Sequence, residues 1–258
     1  MKVAVIQMDI EFGKPQINYE RITDRIRQAC KGDADVILLP ELWTTGYDLK
    51  MLDQIGDSNG EQVIEFISSL AETYHVNIIA GSIAKKTDEG IYNTMFVFDR
   101  KGEVVKEYSK THLFRLMNEE KFLTEGNNDG HFMIDDIPVA GFICYDIRFP
   151  EWMRKHALEG AKFLFVPAQW PKPRTEHWRT LLITRAIENQ CYVVACNRIG
   201  ADPDNEFGGH SMIIDPWGKV IQEAEEEETI IYAELDLAEL EEIRTRIPIF
   251  EDRRTDLY

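Results

Sequence analysis

Three residues with reactive side chains, Glu41, Lys110 and Cys144, follow apolar runs rich in β-branched residues. Side chains at the carboxyl ends of strands emerge at the rim of a sheet, where residues far apart in the chain can converge. A cysteine attacks carbon as a thiolate, a carboxylate can take its proton, and an ammonium can stabilise the developing oxyanion. The three residue types together are therefore suited to acyl transfer from an amide or a nitrile.

Each of these side chains also has an ordinary structural explanation. A free cysteine is often a small buried hydrophobe, a glutamate after a strand often begins a helix, and a lysine there is usually a solvated charge. His112 offers a second candidate base, because it lies two residues after Lys110 on an extended segment and should face the same side. The residues alone therefore leave the chemistry open.

The elements that would position these residues are indicated by hydrophobic periodicity. Short apolar runs rich in β-branched residues predict strands, and apolar residues at a period of about 3.6 predict helices. Because strands and helices are mixed through the chain, we expect an α/β fold with helices layered over sheets, in a single domain over 1–258. Strands are predicted at 3–7, 36–39, 77–80, 93–98, 102–108, 139–144, 163–166, 192–196, 211–215 and 230–235, and helices at 15–32, 63–74, 150–160 and 178–187.

The charge balance narrows the class of partner. Lys and Arg number 29 against 46 Asp and Glu, a formal net charge of −17 that would repel nucleic acid and anionic membranes. The first apolar run, 3–8, is too short for a secretory or spanning segment, and four cysteines are too few for a disulfide framework. We therefore expect a cytoplasmic protein that binds neither nucleic acid nor membranes. The acidic run 223–228 is expected to be a solvated face or a hairpin edge.

No cofactor is indicated by the motifs of the chain. Neither G-x-G-x-x-G nor G-x-x-x-x-G-K-[ST] occurs, so no nucleotide site is predicted. Cys191 and Cys196, with His210 downstream, lack a second ligand pair and do not predict zinc. We therefore expect no cofactor and no metal.

Three blocks of the sequence resemble the signature blocks of the carbon–nitrogen hydrolase, or nitrilase, superfamily. They are Leu39–Tyr47, Tyr108–Phe114 and Gly141–Glu151, in the order and approximate spacing of the family. The similarity extends from Val3 to Gly218 and so covers nearly the whole chain. The resemblance implies a nitrilase-type αββα sandwich with mixed sheets that forms a homodimer sheet to sheet.

The resemblance also implies where the two copies would meet. The segments after Cys144 and around His177–Asn189 would face the partner. A C-terminal tail, from about 240 to 258, could cross to it.

Carried over to matching positions, the family pattern makes Cys144 the nucleophile, Glu41 the general base and Lys110 the stabiliser of the tetrahedral intermediate. It makes the main-chain N–H of Tyr145 the second oxyanion donor. A nucleophilic role leads us to expect a low pKa for the Cys144 thiol and alkylation ahead of the other three cysteines.

A second glutamate is implied between the lysine and cysteine blocks. The family often places it seven residues before a glycine, which corresponds to Glu119 before Gly126. A shift of one residue to Glu120 is the alternative.

The string 165–178 resembles the branch that contains bacterial omega-amidases, which hydrolyse the terminal amide of small 2-oxo acids. Trp170 would then shape the substrate pocket, or it would simply pack under a loop. Arg148 is a candidate for binding a substrate carboxylate through a two-pronged contact, and an ion pair with a nearby acidic residue is its alternative role. Lys172 and Arg174 are the other cations expected near the pocket.

These observations together predict a metal-independent amidohydrolase. It would cleave the terminal amide of a small-molecule substrate such as 2-oxoglutaramate through a thioester at Cys144 and release ammonia. A nitrilase or an N-carbamoyl amino acid hydrolase on the same scaffold is the alternative among enzymes. A non-catalytic binding or scaffold protein is the alternative of another class.

Overall fold

Two β-sheets with helices on their outer faces form the framework of the protein. The structure is a computed structural model that describes residues 1–257. The strands are β1 (Lys2–Gln7), β2 (Val36–Leu38), β3 (Asp57–Ser58), β4 (Asn77–Ile79), β5 (Ile83–Thr87), β6 (Gly90–Phe98), β7 (Val104–Ser109), β8 (His131–Ile134), β9 (Ile137–Gly141), β10 (Phe163–Ala168), β11 (Tyr192–Asn197), β12 (Ile199–Ala201), β13 (Glu206–Gly208), β14 (Met212–Ile214), β15 (Val220–Glu223) and β16 (Thr229–Glu234). The helices are α1 (Pro15–Cys30), α2 (Leu52–Ile55), α3 (Glu61–Tyr74), α4 (Pro150–Leu158), α5 (Thr175–Asn189) and α6 (Leu237–Arg246).

Both large sheets are mixed. The first has the order β16-β1-β2-β4-β6-β5-β3, with β7 also paired to β6, and the second has the order β15-β14-β11-β10-β9-β8. Parallel pairs join β1 to β2 and β2 to β4 in the first sheet, and β10 to β9 and β11 in the second. The carboxyl ends of β2, β9 and β10 therefore supply loops from two different sheets.

Strand β1 shows how the layers are packed. Its alternate residues Val3 and Val5 belong to the core between the two sheets, whereas Ala4 and Ile6 pack with the helices outside the first sheet. Successive side chains of a strand point to opposite faces, so a strand covered on both faces needs an apolar residue at nearly every position. This is why the run is apolar throughout instead of alternating.

Helices α1 and α3 cover the first sheet, and α4 and α5 cover the second. Pro15 occupies the start of α1, where its missing N–H is not needed, and Ile22 and Ile26 point to the sheet. On the other side, Trp178 and Leu182 of α5 are buried against the second sheet. The predicted α/β sandwich in one domain is thereby confirmed.

Some elements were not predicted from the sequence. Strands β5 and β15 and helix α6 each contain at most two buried residues, so they carry little hydrophobic signal. The strand predicted to reach Cys144 ends earlier, at Gly141, and Cys144 instead begins a 3₁₀ turn, Cys144–Arg148.

The acidic run 223–228 is largely solvated, as expected, with Glu225, Glu226 and Glu227 exposed, but it also makes contacts that were not predicted. The run connects β15 of the second sheet to β16 of the first, and several of its side chains are in ion pairs. Glu228 pairs with Arg21 and Arg25 of α1, and Glu226 pairs with Lys172. The charges are therefore partly used to tie separate elements together.

Candidate active site

Glu41, Lys110 and Glu119 meet in the interior of the protein, and we call them the buried cluster. Lys110 Nζ lies 2.9 Å from Glu41 Oε1 and 2.7 Å from Glu119 Oε1, and all three side chains are fully buried. Glu41 follows β2 and Lys110 follows β7, both in the first sheet. The structure thus brings together three of the residues predicted from the sequence.

Glu119 and Glu120 have different surroundings. Glu119 begins a 3₁₀ turn, and its Oε2 accepts a hydrogen bond of 2.8 Å from the N–H of Phe114. Glu120 is exposed to solvent. Of the two adjacent glutamates, it is therefore Glu119 that faces Lys110.

Three partners of Glu41 were not predicted from the sequence. Asn93 Nδ2 donates to Glu41 Oε1 at 2.8 Å, and the N–H of Gln169 donates to Glu41 Oε2 at 2.8 Å. The Tyr47 hydroxyl lies 3.0 Å from Glu41 Oε1 and 2.6 Å from Glu119 Oε1, and its single hydrogen can serve one of them at a time. Tyr47 does end the first signature block, which was the available signal for it.

The charges of the buried cluster compensate one another. Burial by itself would lower the pKa of Lys110, but the adjacent carboxylates of Glu119 and Glu41 outweigh it and raise that pKa well above its ordinary value. Burial raises the pKa of Glu119, with Lys110 acting against it. Lys110 therefore stays an ammonium, with two of its three N–H groups on the carboxylates and one left for another acceptor.

Cys144 lies beside this cluster with a strained main chain. Its φ is 46°, in the left-handed region that side chains with a Cβ rarely adopt, and the residue is only 4% exposed. Burial and then the charge of Glu41 raise the pKa of its thiol well above the usual value, despite Lys110. The expectation of a low thiol pKa was therefore wrong. The resting thiol, close to Glu41, is protonated, so a base must remove its proton during attack.

Asp146 holds the turn that presents Cys144. Its Oδ2 accepts from the N–H of Ile143, at 2.9 Å, and from the hydroxyl of Tyr108, at 2.7 Å. Its Oδ1 accepts from the N–H of His112 and lies 2.7 Å from Nδ1 of that ring. His112 also stacks on Phe149, with 3.7 Å between ring centroids. The structure thus places His112 on Asp146, away from the Lys110 side chain that it was expected to accompany.

A narrow cavity of about 10 Å³, roughly the room of one water molecule, opens beside the thiol. Its lining is mainly aromatic and includes one guanidinium, and we call it the thiol cavity. The lining residues are Phe114, Cys144, Tyr145, Trp170, Pro171 and Arg174.

The three predicted cations occupy different positions around this cavity. Arg174 lines it. The Arg148 guanidinium lies 4.8 Å from the centroid of the Trp170 ring and has no ion pair with a carboxylate in the part of the chain described. Lys172 points elsewhere and pairs with Glu206 and Glu226.

Two of the three cysteines outside the site, Cys191 and Cys196, lie in the core, and Cys30 is partly buried. Cys191 Sγ and Cys196 Sγ each donate to main-chain carbonyls, at 3.2 Å to Ala161 and 3.1 Å to Ile6. Residues 1–257 contain no group of three or more His, Cys, Asp or Glu side chains arranged to hold a metal ion. No helix in that range is long and apolar enough to cross a membrane.

Comparisons with known proteins agree with this architecture. The family model described as carbon-nitrogen hydrolase matches residues 2–245. The chain is 51% identical to the 2-oxoglutaramate amidase of Bacillus subtilis (strain 168), over 99% of this chain and 98% of that protein. It is 35% identical to the 2-oxoglutaramate amidase of Paenarthrobacter nicotinovorans, over 100% and 91% of the two chains.

A solved structure shows the same fold. The CN-hydrolase superfamily protein from Xanthomonas campestris superposes with a TM-score of 0.93 at 28% identity, over 99% of this chain and 97% of that one. Fold and comparisons together define a hydrolase that acts on carbon–nitrogen bonds other than peptide bonds. The chain belongs to the carbon–nitrogen hydrolase family, within the nitrilase superfamily, and is similar to its omega-amidase-like members.

Proposed function

We propose that the protein hydrolyses the terminal amide of a small 2-oxo acid, such as 2-oxoglutaramate, and releases ammonia. The observation that carries the proposal is the thiol of Cys144 on the wall of a small cavity, close to Glu41, with Lys110 bound to the Glu41 carboxylate. The identity of 51% to a 2-oxoglutaramate amidase along nearly the full length of both chains supports this substrate class.

In the first half of the reaction, Cys144 attacks the amide carbon. The thiol proton passes to Glu41 as the sulfur–carbon bond forms, and the carbonyl oxygen becomes an oxyanion. The remaining N–H of Lys110 and the main-chain N–H of Tyr145, in the first turn after the nucleophile, donate to that oxyanion. The carbon–nitrogen bond then breaks, Glu41 returns the proton to the leaving nitrogen, and ammonia departs from a thioester.

In the second half, water replaces ammonia. Glu41 accepts a proton from the water as its oxygen adds to the thioester carbon, and the same two donors stabilise the second oxyanion. The sulfur–carbon bond breaks, the proton returns to the sulfur of Cys144, and the carboxylic acid leaves. Glu119 keeps Lys110 charged and in place through both halves.

Around the reacting atoms, Trp170 forms a wall of the thiol cavity. Its indole N–H donates to the carbonyl of Arg174 at 2.8 Å, which fixes the plane of the ring. The free carboxylate of the substrate would meet the positive charge of Arg174 at this end of the site.

The proposal is tested by ammonia release from three groups of compounds: omega-amides of dicarboxylic acids, nitriles and N-carbamoyl amino acids. We expect the omega-amides to be hydrolysed fastest and Cys144→Ala to abolish the reaction. Cys30→Ala, at a cysteine outside the site, is the matched control. Faster turnover of nitriles or N-carbamoyl compounds would replace the proposed substrate class. Residual activity of Cys144→Ala would overturn the nucleophile, and no turnover of any compound would favour a binding protein.

We propose further that the protein works as a cytoplasmic homodimer. Ile187 of α5 is 50% exposed, and Leu158 at the end of neighbouring α4 is 38% exposed, which leaves apolar surface on the helices predicted to face a partner. The tail after α6 would extend this contact. Light scattering at micromolar protein should give the mass of two chains, whereas the mass of one chain would contradict the dimer.

A further inference from the structure

The cation that lines the thiol cavity has no acidic partner. Arg174 is partly buried, and its guanidinium lies 5.4 Å from the ring centroid of Phe114, another wall of the cavity. In the described chain, no carboxylate lies within ion-pair distance of Arg174, although the protein carries 46 Asp and Glu residues. Its neighbour Lys172 has two such partners. An anion entering the cavity would therefore find one guanidinium free to receive it.

The main chain at Arg174 is fixed before any substrate arrives. Its N–H donates to the carbonyl of Pro171 at 3.0 Å, and its carbonyl accepts from Trp170. The Thr175 hydroxyl donates to the carbonyl of Lys172 at 2.8 Å, which closes the same turn. Because little main-chain freedom is lost on binding, a contact made by this side chain is favoured.

Arg148 has a different set of contacts. One of its terminal nitrogens lies 3.2 Å from Nδ1 of His177, and its guanidinium stacks on Trp170 without lining the cavity. Trp170 itself lines the cavity, as does Tyr145, whose ring centroid lies 6.0 Å from the Arg148 guanidinium, so Arg148 contacts the walls of that space from outside. Arg148 is therefore placed to support Trp170.

We propose that Arg174 binds the free carboxylate of the substrate and makes the enzyme selective for amides that carry one at the far end. The inference deepens the proposed function and rests on it. The amide carbon would lie at Cys144, the short carbon chain between aromatic rings, and the carboxylate on the guanidinium in a two-pronged contact. Arg174 is then a specificity-determining residue of the reaction.

The test compares Arg174→Gln with Arg148→Gln on a carboxylated amide, 2-oxoglutaramate, and on a neutral amide, butyramide. We expect Arg174→Gln to lower kcat/KM for 2-oxoglutaramate about ten- to hundredfold and for butyramide less than about threefold. Arg174→Lys keeps the positive charge but cannot make the two-pronged contact. Its kcat/KM for 2-oxoglutaramate should therefore lie between the values of the wild type and Arg174→Gln. Arg148→Gln should affect both amides by a similar factor, because it acts through Trp170.

Binding of 2-oxoglutarate, the acid product, gives a readout that needs no turnover. Calorimetry should show a dissociation constant about tenfold or more higher for Arg174→Gln than for the wild type. Equal losses on both amides with an earlier melting temperature would overturn the assignment, and so would a selective loss in Arg148→Gln. If the enzyme instead cleaves N-carbamoyl amino acids, the proposed function fails. The Arg174 variants would then be compared on an N-carbamoyl amino acid and on its methyl ester, which has no free carboxylate.

Discussion

The buried cluster and the loop that carries Trp170 and Arg174 hold their polar groups in opposite ways. In the cluster, Glu41, Lys110 and Glu119 are fully buried and bonded to one another. On the loop, Lys172 is 37% exposed and its carboxylate partners are 62% and 53% exposed. A buried polar group that loses its partner pays a desolvation penalty, whereas exposed ion pairs contribute little. The buried cluster is therefore held by its own internal bonds, whereas the proposed carboxylate site lies on a loop whose ion pairs are exposed.

The largest effect should come from removing the proton acceptor of the cluster. Glu41→Gln keeps the shape of the side chain but cannot take the thiol proton, so we expect kcat to fall about 10²–10⁴-fold. Steady-state kinetics measure this, with Glu120→Gln as the control at an exposed glutamate. A larger loss in His112→Ala than in Glu41→Gln would show that the imidazole, and not the carboxylate, is the base.

A second buried polar group should make stability depend on pH. His156 is buried, its Nε2 accepts from the N–H of Gly130 at 2.9 Å, and Nδ1 lies 2.7 Å from the carbonyl of Trp152. Burial lowers its pKa to about 4. The unfolded chain takes up this proton near pH 6.5, so the stability present above that pH is lost as the pH falls towards 4.

We therefore expect the free energy of unfolding to drop by about 2 kcal/mol from this group between pH 7.5 and 5. Urea unfolding at the two pH values measures the drop. His156→Gln should be less stable than the wild type at pH 7.5 and should lose less on acidification. An equal pH dependence in both proteins would assign the effect to other groups.

A smaller effect should follow from removing the hydroxyl between the two glutamates. Tyr47→Phe leaves the ring but withdraws the donor that Glu41 and Glu119 share, which should cost about 1–3 kcal/mol of stability. We also expect kcat to fall about tenfold, since each 1.4 kcal/mol in the barrier is roughly that factor. Thermal melting measures the loss of stability, and steady-state kinetics measure the fall in kcat. Tyr92→Phe is the control. Unchanged values would mean that the cluster is held by its ions alone.

The smallest effect should come from the exposed ion pairs. Lys172→Ala removes two of them and should change the stability little, with a modest rise in KM from a looser loop. Raising the salt concentration should shift the wild type towards the variant, because exposed pairs are screened. Lys31→Ala, at another exposed lysine, is the control. A loss of stability as large as that of Tyr47→Phe would contradict the contrast between the buried cluster and the exposed ion pairs.

The sequence predicted the parts of this design that are local in the chain. Glu41, Lys110 and Cys144 end recognisable apolar runs or lie within signature blocks, so both their positions and their chemistry could be proposed. The bond from Gln169 to Glu41 joins residues 128 positions apart, and no local pattern indicates it. The protonated state of Cys144 was missed for the same reason, because burial and neighbouring charge are set by tertiary packing.

The groups of the proposed reaction centre, and the partners that hold them, are divided between the two sheets. Glu41 and Lys110 follow strands of the first sheet, whereas Cys144 and Gln169 follow strands of the second. Neither half of the sandwich holds a complete reaction centre, so turnover reports the alignment of the layers and not the amount of helix and strand. A compact, loosely packed state with native secondary structure should be inactive, and on mild acidification activity should disappear before the far-ultraviolet circular dichroism changes.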